Sequence, residues 1–190
     1  MPTKLIKPRR FGDDRGWFAE TYNRRTYAAA GVDVEFCQDN HSMSRTPGVL
    51  RGLHFQAPPQ AQAKLVRCVR GRIWDVAVDI RRGSPTYGQS VWAELSAENG
   101  LQIYVPIGFA HGFMTLEPDT EVEYKTSAFY APDCEGGLIW DDPDLGLPWP
   151  APASGPILSE KDTVLPRLKD FATPFGYDGT PMAALETEGR

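Results

Sequence analysis

Alternating apolar and polar positions dominate the middle of the chain. The clearest run spans residues 72–80, where one face of an extended strand would carry Trp74, Val76, Val78 and Ile80. The opposite face would carry Asp75, Ala77 and Asp79. A period of two is the geometry of a β-strand, so this segment is predicted to be a strand with two different faces. Residues 102–105, 111–116 and 121–129 are predicted to form further strands.

One short helix is predicted near the start, over residues 23–30. Asn23 is a favourable N-cap, and Gly31 suits the position at which a helix ends. Beyond it, glycine and proline recur at short intervals and mark tight turns between β-rich runs. This pattern favours a mostly β protein, a sandwich or jelly-roll barrel with a few short helices.

No repeat or linker divides the chain, so residues 1–190 are expected to form a single domain. The segment from about residue 173 is rich in glycine, proline and small residues. We expect this tail to wrap the surface or to be poorly ordered.

Composition narrows the function classes. The chain has 190 residues, of which 41% are hydrophobic and 24% charged, and its net charge of −5 argues against a nucleic-acid partner. The start of the chain shows no apolar leader, and no run approaches the ~20 apolar residues that span a bilayer. A cytoplasmic protein without a membrane partner is therefore expected. Three cysteines without CxxC spacing are read as reduced thiols.

The chain has three histidines, and the surroundings of two of them suggest chemistry. A single histidine on a strand is more often structural than catalytic. His54, however, comes three residues after Arg51 and ten before Lys64. His111 closes a turn of the form Pro-x-Gly-x-x-His at the start of a predicted strand, from which a side chain can point into the mouth of a barrel.

That turn resembles the second motif of the cupin superfamily. Metal-binding cupins supply His-x-His and a glutamate from their first motif, whereas this chain reads His54-Phe55-Gln56 with no acidic residue before Asp75. One imidazole from each motif is too few for a tight metal site, so neither a metal nor another cofactor is expected.

A closer resemblance emerges when the motifs are taken in order. They are Asp14-Arg15-Gly16-x-Phe18-x-Glu20, Gln38-Asp39-Asn40, residues 48–56 around Arg51 and His54, Lys64-Leu65-Val66, residues 75–81, residues 108–113 around His111, Glu123-Tyr124-Lys125-Thr126, Tyr130-Ala131-Pro132 and residues 158–162 ending at Asp162. This set, over roughly residues 5–170, resembles the dTDP-4-dehydrorhamnose 3,5-epimerase family. The resemblance implies a carbohydrate epimerase that needs neither metal nor cofactor.

The resemblance also implies a reaction and its catalytic residues. The family takes dTDP-4-dehydro-6-deoxy-D-glucose and inverts C3 and C5, the carbons beside the C4 ketone. His54 matches the general base, Lys64 the cation at the C4 oxygen, and Tyr124 the proton donor on the other ring face. Tyr124 alternates with the outward-facing charges of its strand, which is consistent with an inward phenol. Asp162 matches the partner of His54, with Asp75 and Asp79 as alternatives.

Nucleotide binding is implied for a second set of residues. Arg15 and Arg51 match positions near the diphosphate, where a guanidinium suits phosphate oxygens, and Lys161 and His111 would add positive or hydrogen-bonding character. The remaining matches, to positions that contact or stack on the thymine and its neighbouring groups, are Phe18, Glu20, Gln38, Asn40, Tyr130 and Glu135. The family is a homodimer whose N-terminal strands cross to the partner, so that Arg15 and Glu20 would complete the neighbouring site.

Three alternatives remain at the level of sequence. A mono-epimerase acting at C3 only or at C5 only would share most of these residues. A metal-dependent cupin isomerase or dioxygenase would belong to another enzyme class. A sugar-binding cupin without catalytic activity would have no need of His54.

Overall fold

Two mainly antiparallel sheets packed face to face form the body of the protein, as seen in a computed structural model that describes residues 1–185 and the backbone of 187–189. In chain order the strands are β1 (Lys4–Lys7), β2 (Arg10–Asp13), β3 (Gly16–Ala19), β4 (Gln38–Ser44), β5 (Leu50–Gln56), β6 (Lys64–Arg70), β7 (Arg72–Asp79), β8 (Ser90–Ser96), β9 (Gln102–Val105), β10 (Phe109–Thr115), β11 (Thr120–Thr126), β12 (Glu135–Gly137) and β13 (Thr187–Gly189). The expectation of a mostly β jelly-roll barrel of the cupin kind is confirmed.

The six-stranded sheet has the order β13-β1-β9-β6-β11-β4, and the five-stranded sheet has the order β12-β5-β10-β7-β8. A separate hairpin, β2–β3, stands apart from both sheets. The sheets enclose an apolar core to which Val66 and Ile103 contribute from one side, and Ala77 and Phe113 from the other. This core fills part of the barrel lumen and leaves the rest for a cavity.

The predicted helix is confirmed as α1 (Arg24–Ala29). The Asn23 side chain accepts hydrogen bonds from the backbone N–H groups of Arg25 and Thr26, as an N-cap does. Gly31 has a φ of +79°, the left-handed conformation that ends many helices. Helix α1 covers part of the outer face of the six-stranded sheet. Three single-turn 3₁₀ helices follow, at Pro132–Cys134, Lys161–Thr163 and Leu168–Asp170.

Strand β7 has the two predicted faces, and both of them are buried. Its polar face, with Asp75, points toward the lumen, where Asp75 meets His111. Its apolar face, with Trp74 and Val76, points outward into a second core. The chain after β12 covers this second core, so the lumen is free to hold polar groups.

The C-terminal segment lies along both sheets. Phe175 is buried in the second core, and Gly176 forms a bridge with Arg82. The guanidinium of Arg81 contacts the Asp178 carboxylate at 3.3 Å and the Thr180 carbonyl at 2.8 Å. Strand β13 then pairs in parallel with β1. In the part of the chain described, no helix is long and apolar enough to cross a membrane.

Candidate active site

Two glycines bring the histidine-bearing strands together. A Cβ on Gly52 would lie 2.6 Å from the Cα of Gly112, and Gly52 has a φ of +137°. Any other residue at position 52 would therefore force β5 and β10 apart and strain the backbone. Because the strands approach so closely, His54 and His111 are direct partners across the sheet.

A cavity of about 410 Å³ opens into the lumen beside these histidines. Residues from both sheets and from the segment around residue 160 line it: Ser42, Val49, Leu50, Arg51, His54, Lys64, His111, Phe113, Tyr124, Glu135, Ile157, Leu158, Ser159, Lys161 and Asp162. The structure thus brings all four residues predicted to be catalytic, and four of those predicted to bind substrate, to one cavity.

The carboxylate that pairs with His54 is that of Asp162. Its Oδ1 lies 2.5 Å from Nε2 of His54, and the Asp162 side chain is only 3% exposed. Burial by itself would raise the pKa of Asp162, but the hydrogen bond and charge of His54 outweigh it, and the pKa lies below its usual value. The other ring nitrogen of His54 has no hydrogen-bond partner among residues 1–185.

The two alternative partners are engaged elsewhere. Both carboxylate oxygens of Asp75 lie 3.0 Å from Nε2 of His111. Asp79 binds the Arg81 guanidinium at 2.7 Å and the Ser84 hydroxyl at 2.6 Å. Of the three carboxylates that the sequence offered as partners of His54, only Asp162 is in contact with its ring among the described residues.

Lys64 and Tyr124 lie on the wall opposite His54. Lys64 begins β6 and Tyr124 sits on the neighbouring β11, whereas His54 belongs to the other sheet. Burial lowers the pKa of Lys64 to about 8, against the opposing effect of the nearby Asp75 and Glu135 carboxylates. Burial also raises the pKa of Tyr124, so its hydroxyl keeps its proton at neutral pH. The cavity therefore offers an imidazole on one side, and an ammonium and a neutral phenol on the other.

Further cationic groups surround the cavity mouth. Among the described residues, Arg51 makes two long hydrogen bonds, 3.4 Å to the Ser44 hydroxyl and 3.5 Å to the Met43 carbonyl. Lys161 forms an ion pair with Glu135 at 2.6 Å. Arginine and lysine in such positions can donate hydrogen bonds to phosphate oxygens.

A smaller cavity of about 130 Å³ adjoins the first and shares His54, Lys64, Tyr124 and Glu135 with it. Three of its other lining residues, Gln38, Asn40 and Tyr130, were predicted to bind nucleotide. The Gln38 amide donates to Asn40 Oδ1 at 2.9 Å and accepts from the Tyr130 backbone N–H at 3.0 Å.

Three predicted binding residues lie outside both cavities. Arg15 and Phe18 belong to the β2–β3 hairpin, where Arg15 pairs with Asp13 at 2.5 Å and Phe18 is 69% exposed. Glu20 follows the hairpin and accepts a hydrogen bond from Asn23 at 3.1 Å. Within one chain, the structure does not bring these three to the site.

Sequence reasoning missed several residues of the site. Ser159 lines the cavity and accepts a hydrogen bond from the backbone N–H of Asp162 at 3.4 Å. It stands in the same five-residue motif as Asp162 and could have been found there. Ser42 also lines the cavity, and its position two residues after Asn40 on β4 was the available signal. Over the described residues, no group of three or more His, Cys, Asp or Glu side chains is arranged to hold a metal ion.

A cupin-like barrel with an imidazole–carboxylate pair facing a lysine and a tyrosine across its lumen is the architecture of a carbohydrate epimerase, an isomerase. Residues 2–170 match the family described as dTDP-4-dehydrorhamnose 3,5-epimerase, and the chain belongs to this family.

Individual relatives agree with this assignment. The chain is 53% identical over 174 residues to a dTDP-4-dehydrorhamnose 3,5-epimerase of Sinorhizobium fredii, covering 92% of this chain and 89% of that one. A crystal structure of the Bacillus anthracis dTDP-4-dehydrorhamnose 3,5-epimerase, with TDP and PPi bound, is 50% identical and superposes with a TM-score of 0.84 over 87% of this chain and 93% of that one. The Legionella pneumophila dTDP-6-deoxy-D-glucose-3,5-epimerase, in complex with dTDP-4-keto-L-rhamnose, is 43% identical with a TM-score of 0.83 over 87% of each chain.

Proposed function

We propose that this protein converts dTDP-4-dehydro-6-deoxy-D-glucose to dTDP-4-dehydro-L-rhamnose by inverting C3 and C5 of the sugar. The observation that carries the proposal is the placement of His54 and Tyr124 on facing sheets of one cavity. Inversion at a carbon requires a proton to leave from one face and return to the other. Two proton-transfer groups on the same wall could exchange a proton but would favour retention.

The proposed first step is proton removal by His54. The C4 ketone makes the neighbouring C–H bonds acidic, and the imidazole nitrogen not bonded to Asp162 takes the proton. The electrons of the broken C–H bond form a double bond to C4, and the π electrons of the C4 carbonyl move onto its oxygen, which becomes an enolate. Asp162 orients the imidazole and stabilises the imidazolium that forms.

Lys64 and Tyr124 complete the proposed inversion. The partly buried ammonium of Lys64 stabilises the enolate oxygen, where a preorganised charge contributes most in a low-dielectric cavity. Tyr124 then donates its proton to the carbon from the opposite face, and the C4 ketone is restored. Proton exchange with water returns His54 and Tyr124 to their starting states, and the same cycle serves the second carbon.

The nucleotide is proposed to lie along the two adjoining cavities. Arg51, His111 and Lys161 would contact the diphosphate. The thymine and its neighbouring groups would contact Gln38, Asn40 and Glu135, with Tyr130 stacked on the base. Support comes from the shared lining of the two cavities and from the open ring of Tyr130, which is 57% exposed.

A homodimer with exchanged N-terminal strands is part of the proposal. Arg15, Phe18 and Glu20 would then act in the site of the partner. Their location outside both cavities of their own chain supports this, as do the exposed aromatic residues of the hairpin, Phe11 (53%), Trp17 (59%) and Phe18 (69%).

We also propose that each chain is a single domain with a peripheral C-terminal tail. We further propose that the protein resides in the cytoplasm, where its three free thiols would stay reduced.

The test is incubation with purified dTDP-4-dehydro-6-deoxy-D-glucose in D₂O, followed by NMR of the recovered sugar. Deuterium at both C3 and C5, with L-configured product, is expected. Label at one carbon only would replace the proposal by a mono-epimerase. Loss of activity in excess chelator would indicate a metal-dependent cupin instead.

A substitution pair addresses the non-catalytic alternative. His54→Ala should lower turnover by about 10²–10⁴-fold, since a general base contributes about that factor. His41→Ala is the matched control, because His41 is an exposed histidine that pairs with Glu121 away from the larger cavity. Equal activity of the two variants would refute His54 as the base, and binding of the sugar nucleotide without any proton exchange would leave a sugar-binding module as the better description.

A further inference from the structure

Three glutamine side chains hold the backbone of the loop that carries Tyr130. This loop, residues 127–131, connects β11 to the 3₁₀ helix that begins at Pro132. The rings of Phe129 and Tyr130 are 65% and 57% exposed, so little packing fixes them. The position of the loop therefore depends on its backbone hydrogen bonds.

Gln56 makes the central contacts. It is 3% exposed, and its Oε1 accepts the Ala131 backbone N–H at 2.9 Å. Its Nε2 donates to the Phe129 carbonyl at 3.1 Å and to the Gln60 carbonyl at 2.6 Å. One amide thus binds the residues on both sides of Tyr130 and ties them to the loop after β5.

Two further glutamines extend the contact. Gln62 donates to the Ala128 carbonyl at 2.7 Å, and Gln38 accepts from the Tyr130 N–H at 3.0 Å. Three amides from separate segments therefore bind four consecutive residues, and all three glutamines line the smaller cavity together with Tyr130. Only an amide can accept from one backbone group and donate to two others at neutral pH, which explains the residue type at position 56.

We infer that Gln56 is a positioning residue for nucleotide recognition, which fixes the Tyr130 ring as a platform for the base, and that Gln62 assists it. The inference rests on the proposed function, because the stacking role of Tyr130 does. Gln56 stands two residues from His54 on the same strand, yet its amide is committed to the loop backbone. It acts on binding of the base and leaves the proton-transfer groups in place.

The test substitutes Gln56→Glu, which keeps the shape but replaces both N–H donors with a negatively charged oxygen acceptor. Binding of dTDP, measured by calorimetry, should weaken about tenfold, since two buried hydrogen bonds of ordinary strength are lost. Inorganic pyrophosphate, which has no base, reports the effect of the added charge alone, so its binding should weaken less than that of dTDP. In turnover, KM should rise while kcat is retained. Asn99→Asp is the matched control, because it also removes an amide donor to a backbone carbonyl, that of Glu94, at a remote turn.

A double-mutant cycle separates positioning from a structural effect. In a Tyr130→Ala background, Gln56→Glu should change the Kd of dTDP no more than it changes that of pyrophosphate, since the ring it positions is absent. A full tenfold effect in that background, or an equal loss of pyrophosphate binding, overturns the inference. If Gln56→Glu does not fold, Gln62→Glu replaces it in the same cycle with a smaller expected loss of about threefold.

The outcomes also distinguish this inference from the proposed function. Wild-type protein that neither binds dTDP nor labels the sugar in D₂O refutes the proposed function itself. Wild-type protein that does both, with additive effects of Gln56→Glu and Tyr130→Ala, refutes the positioning role alone.

Discussion

The alkaline limb of the pH–rate profile is predicted to report the ionisation of Lys64. Burial lowers the pKa of this lysine to about 8, and the carboxylates of Asp75 and Glu135 prevent a larger shift. With that value, roughly nine tenths of the side chain is protonated at pH 7 and roughly one tenth at pH 9. Because the proposed reaction needs the ammonium at the C4 oxygen, kcat/KM should fall about tenfold per pH unit above pH ~8.5.

The phenol of Tyr124 does not produce this limb. Burial raises the pKa of Tyr124, so its hydroxyl stays protonated throughout the window. Unfolding does not explain it either. An unfolded lysine keeps its proton to pH ~10.4, so between pH 8 and 10 the unfolded state binds more protons at this site. The contribution of Lys64 to stability therefore increases with pH while activity is lost.

The assay is kcat/KM from initial rates of deuterium incorporation between pH 6.5 and 9.5, with enzyme-free blanks for spontaneous exchange. Lys64→Arg keeps a cation at all these pH values, so the limb should disappear even if the absolute rate is lower. Lys125→Arg is the matched control. Lys125 lies on the same sheet, one strand away, and pairs with Asp39 outside both active-site cavities. A profile that is flat to pH 9.5 in the wild type, or a limb that persists in Lys64→Arg, refutes the reasoning.

Three further substitutions test the geometry. Asp162→Asn should lower kcat about a hundredfold at neutral pH, since the imidazolium loses its carboxylate, whereas the exposed Asp170→Asn should not. The pKa of Asp162 is lower in the folded than in the unfolded state, so its carboxylate stabilises the fold above pH ~4. This stabilisation is lost as the pH falls through the pKa of the folded state. In urea titrations, the free energies of unfolding of the wild type and Asp162→Asn should therefore converge at low pH. Tyr124→Phe should suppress inversion while solvent exchange of the abstracted proton persists, and equal loss of both would contradict an acid role. Gly52→Ala should destabilise the fold by about 3 kcal/mol or more, because its Cβ would lie 2.6 Å from Gly112; an unchanged midpoint in urea would disprove the close-approach argument.

Local patterns predicted local structure well. The alternation in β7 and the cap at Asn23 were confirmed because each depends on a few neighbouring residues. The period of two could not tell which face of β7 points inward. The apolar face packs outward because the chain beyond β12 covers it, and nothing within β7 encodes that cover.

The site shows a similar division. The alternation of residues in β11 predicted that the Tyr124 side chain points inward, and it lines the cavity. The partner of His54, however, could not be derived from the spacing of residues along the chain. Asp162 lies 108 residues away along the chain, and its 3₁₀ helix reaches the cavity through the segment that wraps the five-stranded sheet. The family resemblance pointed to Asp162. Neither the residue patterns nor the resemblance predicted the contacts of Gln56 with the Tyr130 loop.

Two imidazole–carboxylate pairs face the same lumen, and their exposure argues which one is the base. The His111 side chain is 7% exposed and Asp75 is fully buried, whereas the His54 side chain is 23% exposed. Burial also raises the pKa of Asp75, which makes it a poorer stabiliser of an imidazolium than Asp162, whose pKa is depressed. A base that must take a proton from a sugar carbon and exchange it with water needs an open ring nitrogen and a charged partner. His54 with Asp162 meets both needs, and His111 with Asp75 is suited instead to hold a fixed group of the ligand, such as the diphosphate.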